Sequence, residues 1–354
     1  MLVRWMRFSL GYLPDYSLVD AIKTAKLADD LGFYGMWAAD EIYHRDPWIT
    51  MAACAINTKK LIFGPAVTHV YLREPTLIAQ ALGTLDELSN GRAACALSIG
   101  NIIMLDQYHI DWRSTKPLRR LREAVGIIRT MLEKGTLTHK GDYFNYTGLF
   151  TSAKRPNRIP IYIGGSGGPL SFRMAGELGD GAMFSTGYSH RYYEDAVKQV
   201  KIGARRAGRD LTKIDVAGWV NFCIAEKSEV ARKAARCMVG FYIPSMPERQ
   251  LRMHDITPEE VREINTNFLQ GNIKKVIDLT TEEMVEKASI SGSPAEIVDK
   301  IRKDLKSAGV KHLVCSIIDR QLVKLISGRD FPDLPDYDEA LRMINNEIMP
   351  HLKS

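Results

Sequence analysis

Residues 61–92 read LIFGPAVTHVYLREPTLIAQALGTLDELSNGR, and their order of residue types decides the fold. A β-branched and apolar run leads into Gly64-Pro65 and then a polar, aromatic-containing loop, so a strand delivers a loop that can face a ligand. From Pro75 the apolar residues Leu77, Ile78, Ala81, Leu82 and Leu85 recur at helical spacing, and Asn90-Gly91 supplies a stop. An apolar run at 93–99 opens the next strand. Strand, loop, helix, turn, strand is the repeating unit of a parallel α/β protein.

The same unit recurs along the chain. Strands are expected at 7–12, 34–38, 61–67, 93–98, 160–164, 181–184, 214–224 and 312–316, with helical patterns after each of the first seven and again at 294–308 and 337–351. Eight strands in such alternation are the number that a (β/α)8 TIM barrel needs. Two stretches interrupt the rhythm. Residues 136–150, with a Gly141-Asp142 turn between Thr- and Tyr-containing arms, read as an inserted hairpin. Residues 242–291, with Pro244, Pro247 and Pro258 among short helical patterns, read as an inserted lobe, either a lid over the mouth or helical padding. With no linker-like or low-complexity tract between them, residues 1–354 are expected to form a single domain.

Composition narrows the function classes. The 354 residues are 45% hydrophobic and 25% charged, as in an ordinary globular protein. The five cysteines are odd in number, widely spaced and never in a C-x-x-C pair, which favours small core hydrophobes over disulfides or a zinc site. No apolar run is long enough for a bilayer and the first residues lack a secretory pattern, so a cytoplasmic protein without a membrane partner is expected. The net charge of +6 is spread among acids on helix faces rather than gathered in a stripe. That distribution excludes a nucleic-acid partner and suits an anionic small molecule at a Gly-rich mouth.

Four places can carry chemistry. Asp40 and Glu41 are adjacent carboxylates at the end of the second strand, where mutual repulsion and loss of water can make one a proton carrier; the alternative is that Asp40 caps a helix or pairs with Arg45. Gly64 to Thr68 end the third strand. Ser98-Ile99-Gly100-Asn101 follow the fourth, with Gly100 suited to close backbone approach and Asn101 to hydrogen bonding, and the apolar Ile102-Ile103-Met104 beyond it suited to packing. Gly164-Gly165-Ser166-Gly167-Gly168-Pro169 opens a helix, where converging N–H groups and the helix dipole can cradle a phosphate. This loop lacks the Lys-Ser/Thr of a P-loop. No H-E-x-x-H, paired His/Cys spacing or G-x-S-x-G occurs, so neither a metal site nor serine-hydrolase chemistry is expected, and His69, His109 and His190 stand isolated.

GPAVTHVYLREP at 64–75, TLDELSNGR at 84–92 and YIGGSGGPLSFRMAGELGDG at 162–181 resemble the bacterial-luciferase-like flavin and deazaflavin enzymes, specifically the coenzyme F420-dependent branch. The resemblance runs from Phe8 to Leu352. It implies a TIM barrel and hydride transfer between the reduced deazaflavin and an organic acceptor, most closely in the manner of a methylenetetrahydromethanopterin reductase. Alternatives on the same scaffold are an F420-dependent sugar-phosphate or alcohol dehydrogenase and an FMN-dependent monooxygenase; a third is a non-catalytic barrel that binds the cofactor. The resemblance further implies that Asp40 and Glu41 approach the coenzyme ring, with Glu41 where sugar-phosphate dehydrogenases have His. It places a non-prolyl cis peptide between Ala66 and Val67 behind the ring, beside Thr68. Gly100 and Asn101 border the ring edge, Gly164, Gly165, Ser166, Gly167 and Gly168 hold the coenzyme phosphate, and Ser185 and Thr186 approach its tail. Gly11 stands where related pterin reductases carry Glu. A homodimer or higher homo-oligomer is also implied.

Overall fold

The computed structural model describes residues 6–13, 15–165, 168–184 and 188–352. Among these described residues there are eleven strands: β1 (Arg7–Tyr12), β2 (Gly35–Ala38), β3 (Ile62–His69), β4 (Cys95–Ser98), β5 (Thr136–Lys140), β6 (Asn145–Phe150), β7 (Ile161–Gly165), β8 (Gly181–Phe184), β9 (Asp215–Ile224), β10 (Ile290–Gly292) and β11 (His312–Ile317). Nine of them form one sheet; setting aside the short β10, the other eight run β1-β2-β3-β4-β7-β8-β9-β11 and close when β11 pairs with β1. Every pairing in this ring is parallel. The expected (β/α)8 TIM barrel is the observed fold. β5 and β6 stand apart as an antiparallel pair, and β10 pairs with the last residues of β9, beyond the part that contacts β8.

Local chemistry sets the helix boundaries. The helix Pro75–Leu88 starts with Pro at its first turn, and the Glu74 carboxylate accepts from the Thr76 and Leu77 N–H groups. Asn90 and Gly91 then take positive φ to turn the chain into β4. The helix Pro117–Lys134 ends on Gly135 in the left-handed region. β3 runs two residues beyond the expected end at 67, because the ladder to β4 shifts register between Ala66 and Thr68 and then resumes with Thr68 opposite Leu97 and His69 opposite Ser98. The Ala66–Val67 peptide at this shift is cis.

Alternation divides the core into two layers. Outward residues such as Leu10, Phe63 and Ile163 pack against Leu82, Ile128, Phe172 and other helix residues. Inward residues Trp37, Ala94, Ala96, Tyr162, Met183, Trp219 and Val314 fill the barrel. Its N-terminal end carries a polar network instead. Asp215 accepts from Arg7, from the Tyr162 hydroxyl at 2.7 Å and from His312 Nδ1 at 2.9 Å, while His312 Nε2 lies 2.7 Å from Ser9 Oγ. With that end closed by charge pairs, the opposite end is left for a ligand.

All five cysteines are buried and free, as small core hydrophobes should be, and burial pushes the Cys54 and Cys237 thiols up to about 12. A second apolar cluster gathers Leu251, Ile264, Val276 and Val285 from the short helices between 248 and 288 against Met238 and its neighbours on the helix Ser228–Tyr242. Among the described residues no helix is long and apolar enough to cross a membrane.

Candidate functional site at the carboxyl ends of the strands

β2 ends at Ala38 and delivers Ala39, Asp40 and Glu41 to the barrel mouth. Asp40 is buried and fully engaged. Arg73 donates Nε to Oδ2 at 2.7 Å and Nη2 to Oδ1 at 2.9 Å, and Thr68 Oγ1 donates to Oδ2 at 2.6 Å. The Asp40 carbonyl meets His69 Nε2. One carboxylate therefore fastens the end of β2 to the residues on both sides of the β3 loop. Arg45 is not its partner, because Arg45 Nη1 donates to the Asp15 carbonyl, and the helix Pro47–Ala55 is capped by Asp46, whose Oδ1 accepts from Ile49 N at 3.0 Å.

Glu41 has a different environment. Its Oε1 accepts from Asn101 Nδ2 at 3.1 Å, and its Oε2 lies 3.9 Å from His44 Nε2. The other nitrogen of that ring, Nδ1, lies 2.7 Å from Asp15 Oδ1. Tyr242, on the last turn of the helix Ser228–Tyr242, completes the group. Burial first, and then the charges of Glu41 and Asp15, push its phenol well above the ordinary range.

Asn101 does double duty, since its Oδ1 accepts from Ile103 N and caps a helix at Ile102–Gln107. The apolar triplet expected to pack does so only in part: Met104 is buried while Ile102 is exposed, because this unforeseen helix turns one face outward. Gly100 has φ +103°, and a Cβ there would stand 2.8 Å from His69 Cβ, so this position needs glycine on both conformational and steric grounds. At Gly164 a Cβ would stand 2.5 Å from Val67 Cγ1, which makes the missing side chain the space that Val67 occupies.

The ends of β2, β3, β4 and β7 thus bring Asp40, Glu41, Ala66, Val67, Thr68, Gly100, Asn101, Gly164 and Gly165 to one end of the barrel. Ser166, Gly167, Ser185 and Thr186 lie outside the described residues. Gly168 precedes the helix Pro169–Leu178, and among the described residues no side chain caps that helix start and none lies within reach of a Cβ on Gly168. Gly11 is explained by its neighbour: a Cβ there would lie 3.0 Å from the Trp219 ring.

Sequence reasoning missed Asp15, His44, Arg73 and Tyr242. For His44 a signal existed, because it stands three positions after Glu41 with only Ile42 and Tyr43 between them. For Asp15, Arg73 and Tyr242 the relation to the site exists only in three dimensions.

Residues 7–312 match the luciferase-like monooxygenase family. Over 352 residues the chain is 31% identical to a 5,10-methylenetetrahydromethanopterin reductase from Archaeoglobus fulgidus, covering 98% of this chain and 100% of the relative. An F420-dependent glucose-6-phosphate dehydrogenase from Amycolatopsis mediterranei is 26% identical, covering 83% of this chain and 87% of the relative. Among solved structures, the coenzyme F420-dependent tetrahydromethanopterin reductase from Methanopyrus kandleri superposes with a TM-score of 0.87 at 28% identity, covering 99% of this chain and 100% of that one. With the family pattern matched along most of its length and its barrel closed in the same way, the chain belongs to the luciferase-like monooxygenase family.

Proposed function

We propose that this protein is a coenzyme F420-dependent oxidoreductase that exchanges a hydride with a methylene carbon bridging two nitrogens of a tetrahydropterin carrier, as a methylenetetrahydromethanopterin reductase does. The observation that carries the proposal is end-to-end similarity to such a reductase, 31% identical over 98% of the chain. Relatives acting on glucose 6-phosphate share less of it.

The residues fit such a cofactor. On β3, β4 and β7 the inward positions toward the carboxyl ends are Ala66, Ser98 and Gly164, all small, while β9 and β11 present Asn221 and Ser316, so a planar ring meets little side-chain bulk on the β3–β4–β7 side. The uncapped helix start at Gly168 offers first-turn N–H groups to a phosphate, and the helix dipole favours its charge. When bound, the deazaflavin supplies the hydride at a ring carbon. Ala66 and Val67 would back the ring, and Gly100 would admit its edge. Asp40, with both oxygens occupied, would hold the β2 and β3 ends in register. Glu41 is more open and is the group assigned to carry the proton that accompanies hydride transfer, with Asn101 orienting it.

The residues also suit self-association. Val19, Ile49, Ile56 and Leu77 are exposed large apolar side chains on or beside three neighbouring helices, Leu18–Leu31, Pro47–Ala55 and Pro75–Leu88, and we assign this face to a homodimer. Light scattering on Ile49→Glu/Leu77→Glu tests it, with a shift to monomer expected.

Anaerobic absorbance of the reduced deazaflavin, with methylenetetrahydromethanopterin, glucose 6-phosphate and a secondary alcohol offered in turn, tests the function. Oxidation with the pterin alone is expected. Turnover only with a sugar or alcohol would replace the substrate, and tight FMN binding with oxygen-dependent turnover would replace the cofactor.

A further inference from the structure

His44 stands between two carboxylates from different loops. Asp15, just after β1, meets Nδ1 at 2.7 Å, and Glu41, just after β2, faces Nε2 at 3.9 Å. Each carboxylate thus addresses its own ring nitrogen, the arrangement in which one partner sets the tautomer and the other exchanges the proton. Asn101 holds the second oxygen of Glu41 at 3.1 Å and leaves Oε2 toward the imidazole. His44, in the middle, is the least exposed at 15% of the side chain, with Asp15 at 21% and Glu41 at 29% on either side. None of the three is sealed from solvent. The charged or titratable groups facing them include Arg45, whose guanidinium reaches the Asp15 carbonyl, Tyr242, which feels both carboxylates, Tyr43, which feels Glu41, and Tyr12, which feels Asp15.

We propose that His44, oriented by Asp15, is the group that reprotonates Glu41 between turnovers. This rests on the role assigned to Glu41 above. The balance is simple. Hydride arriving at the methylene carbon makes a methyl group, one carbon–nitrogen bond breaks with its electron pair going to nitrogen, and that nitrogen takes the proton of the Glu41 carboxylic acid. The Glu41 carboxylate then takes the Nε2 proton of the His44 imidazolium, and the ring regains a proton from water. Asp15 stays ionised and fixes Nδ1–H. Glu41 touches substrate, whereas His44 and Asp15 act through it and are positioning and supply groups. A gap of 3.9 Å is longer than a hydrogen bond, and catalytic proton-transfer contacts are often that long without substrate and tighten in the complex.

A purely structural pair that ties two loops together makes different demands. His44→Gln keeps an amide donor for Asp15 but cannot carry a proton. The expected result is a fall in kcat of roughly tenfold or more, with KM and cofactor affinity unchanged and with kcat now rising with buffer concentration. Added imidazole should restore His44→Ala but not Glu41→Gln. A second measurement needs neither cofactor nor substrate: 15N spectra of labelled histidine in the cofactor-free protein. The Nδ1–H tautomer is expected for His44, lost in Asp15→Ala, with the Nε2 signal moved in Glu41→Gln. Wild-type kcat in His44→Gln across the pH range, or a His44 ring indifferent to both carboxylate changes, would overturn the proposal. Should the wild-type protein reduce no pterin, the functional reading falls and the ring spectra alone decide the His44 pair.

Discussion

Arg73, 33 positions further along the chain, grips Asp40 at two points, Nε to Oδ2 at 2.7 Å and Nη2 to Oδ1 at 2.9 Å, and so links the loops after β2 and β3. The carboxylate is nearly buried while the guanidinium is about one-third open, at 7% and 36% side-chain exposure. Burial of a charge is tolerated only when it is paired and hydrogen-bonded, so this contact is a condition for the shape of the mouth. Removing Arg73 leaves Asp40 with Thr68 as its remaining side-chain donor.

Arg73→Ala is therefore expected to destabilise the fold by about 2–3 kcal/mol, below the upper range for buried pairs because water can partly replace the guanidinium. Arg73→Lys should recover only part of that, since an ammonium cannot reproduce the two-point geometry. Urea unfolding of both variants checks the order. Equal stability of the alanine variant and the wild type would remove Asp40 from its bracing role.

Gly168 and Gly164 separate ligand approach from internal packing. A Cβ at Gly168, on extended backbone, meets none of the described residues, whereas at Gly164 it stands 2.5 Å from Val67 Cγ1. Gly168→Val should leave Tm unchanged and weaken deazaflavin binding, because only an incoming phosphate would meet the new side chain. Gly164→Ala should lower both stability, by about 1–3 kcal/mol for an overpacked contact, and affinity, since Val67 must move. Fluorescence titration with thermal melts of the cofactor-free protein reads both effects. Unchanged affinity in Gly168→Val would detach this helix start from the cofactor.

How far the site could be read from the chain depends on which forces act locally. Strand and helix order was legible because alternation and Pro, Asn and Gly stops operate over a few residues, as at Pro75 and Asn90-Gly91. Glu41 and Asn101 were legible as types at strand ends, yet their mutual hydrogen bond was not, because they stand 60 positions apart in the chain. Asp40 pairs with Arg73 rather than the nearer Arg45, a choice made by the β2–β3 register and not by sequence distance. The Asp215 network is harder still to see, since Arg7, Tyr162 and His312 meet it only after the sheet closes.

That network predicts an acid response. Burial opposes the charge of Asp215, but His312, Arg7 and the Tyr162 hydroxyl outweigh it and hold the carboxyl down at about 2. A carboxyl lowered on folding stabilises the folded state above its unfolded value near 4, and the contribution is lost as pH falls toward 2. The shift corresponds to about 2–3 kcal/mol. Asp215→Asn should flatten the dependence of unfolding free energy on pH between about 4 and 2. Urea melts at closely spaced pH values measure it, and an unaltered acid slope would show that other carboxyls dominate.

The adjacent carboxylates give the last contrast. Asp40 spends both oxygens on Arg73 and Thr68, whereas Glu41 keeps one oxygen on Asn101 and turns the other toward an imidazole. A group that acts in the transition state lowers kcat when neutralised and leaves ground-state binding intact; a brace does the reverse. Glu41→Gln keeps the shape and the contact with Asn101 while removing the proton, so kcat should fall by about 10²–10⁴ with deazaflavin affinity and Tm preserved. Asp40→Asn keeps the shape but removes the buried carboxylate from Arg73 and leaves it the more exposed Asp46 at 3.1 Å, so Tm and affinity should fall together, and kcat only as far as the mouth is misshapen. Stopped-flow reduction of the acceptor under saturating cofactor, beside equilibrium titrations, separates the two patterns. If Asp40→Asn produced the pure kcat loss and Glu41→Gln the loss of affinity, the roles of the two acids would be exchanged.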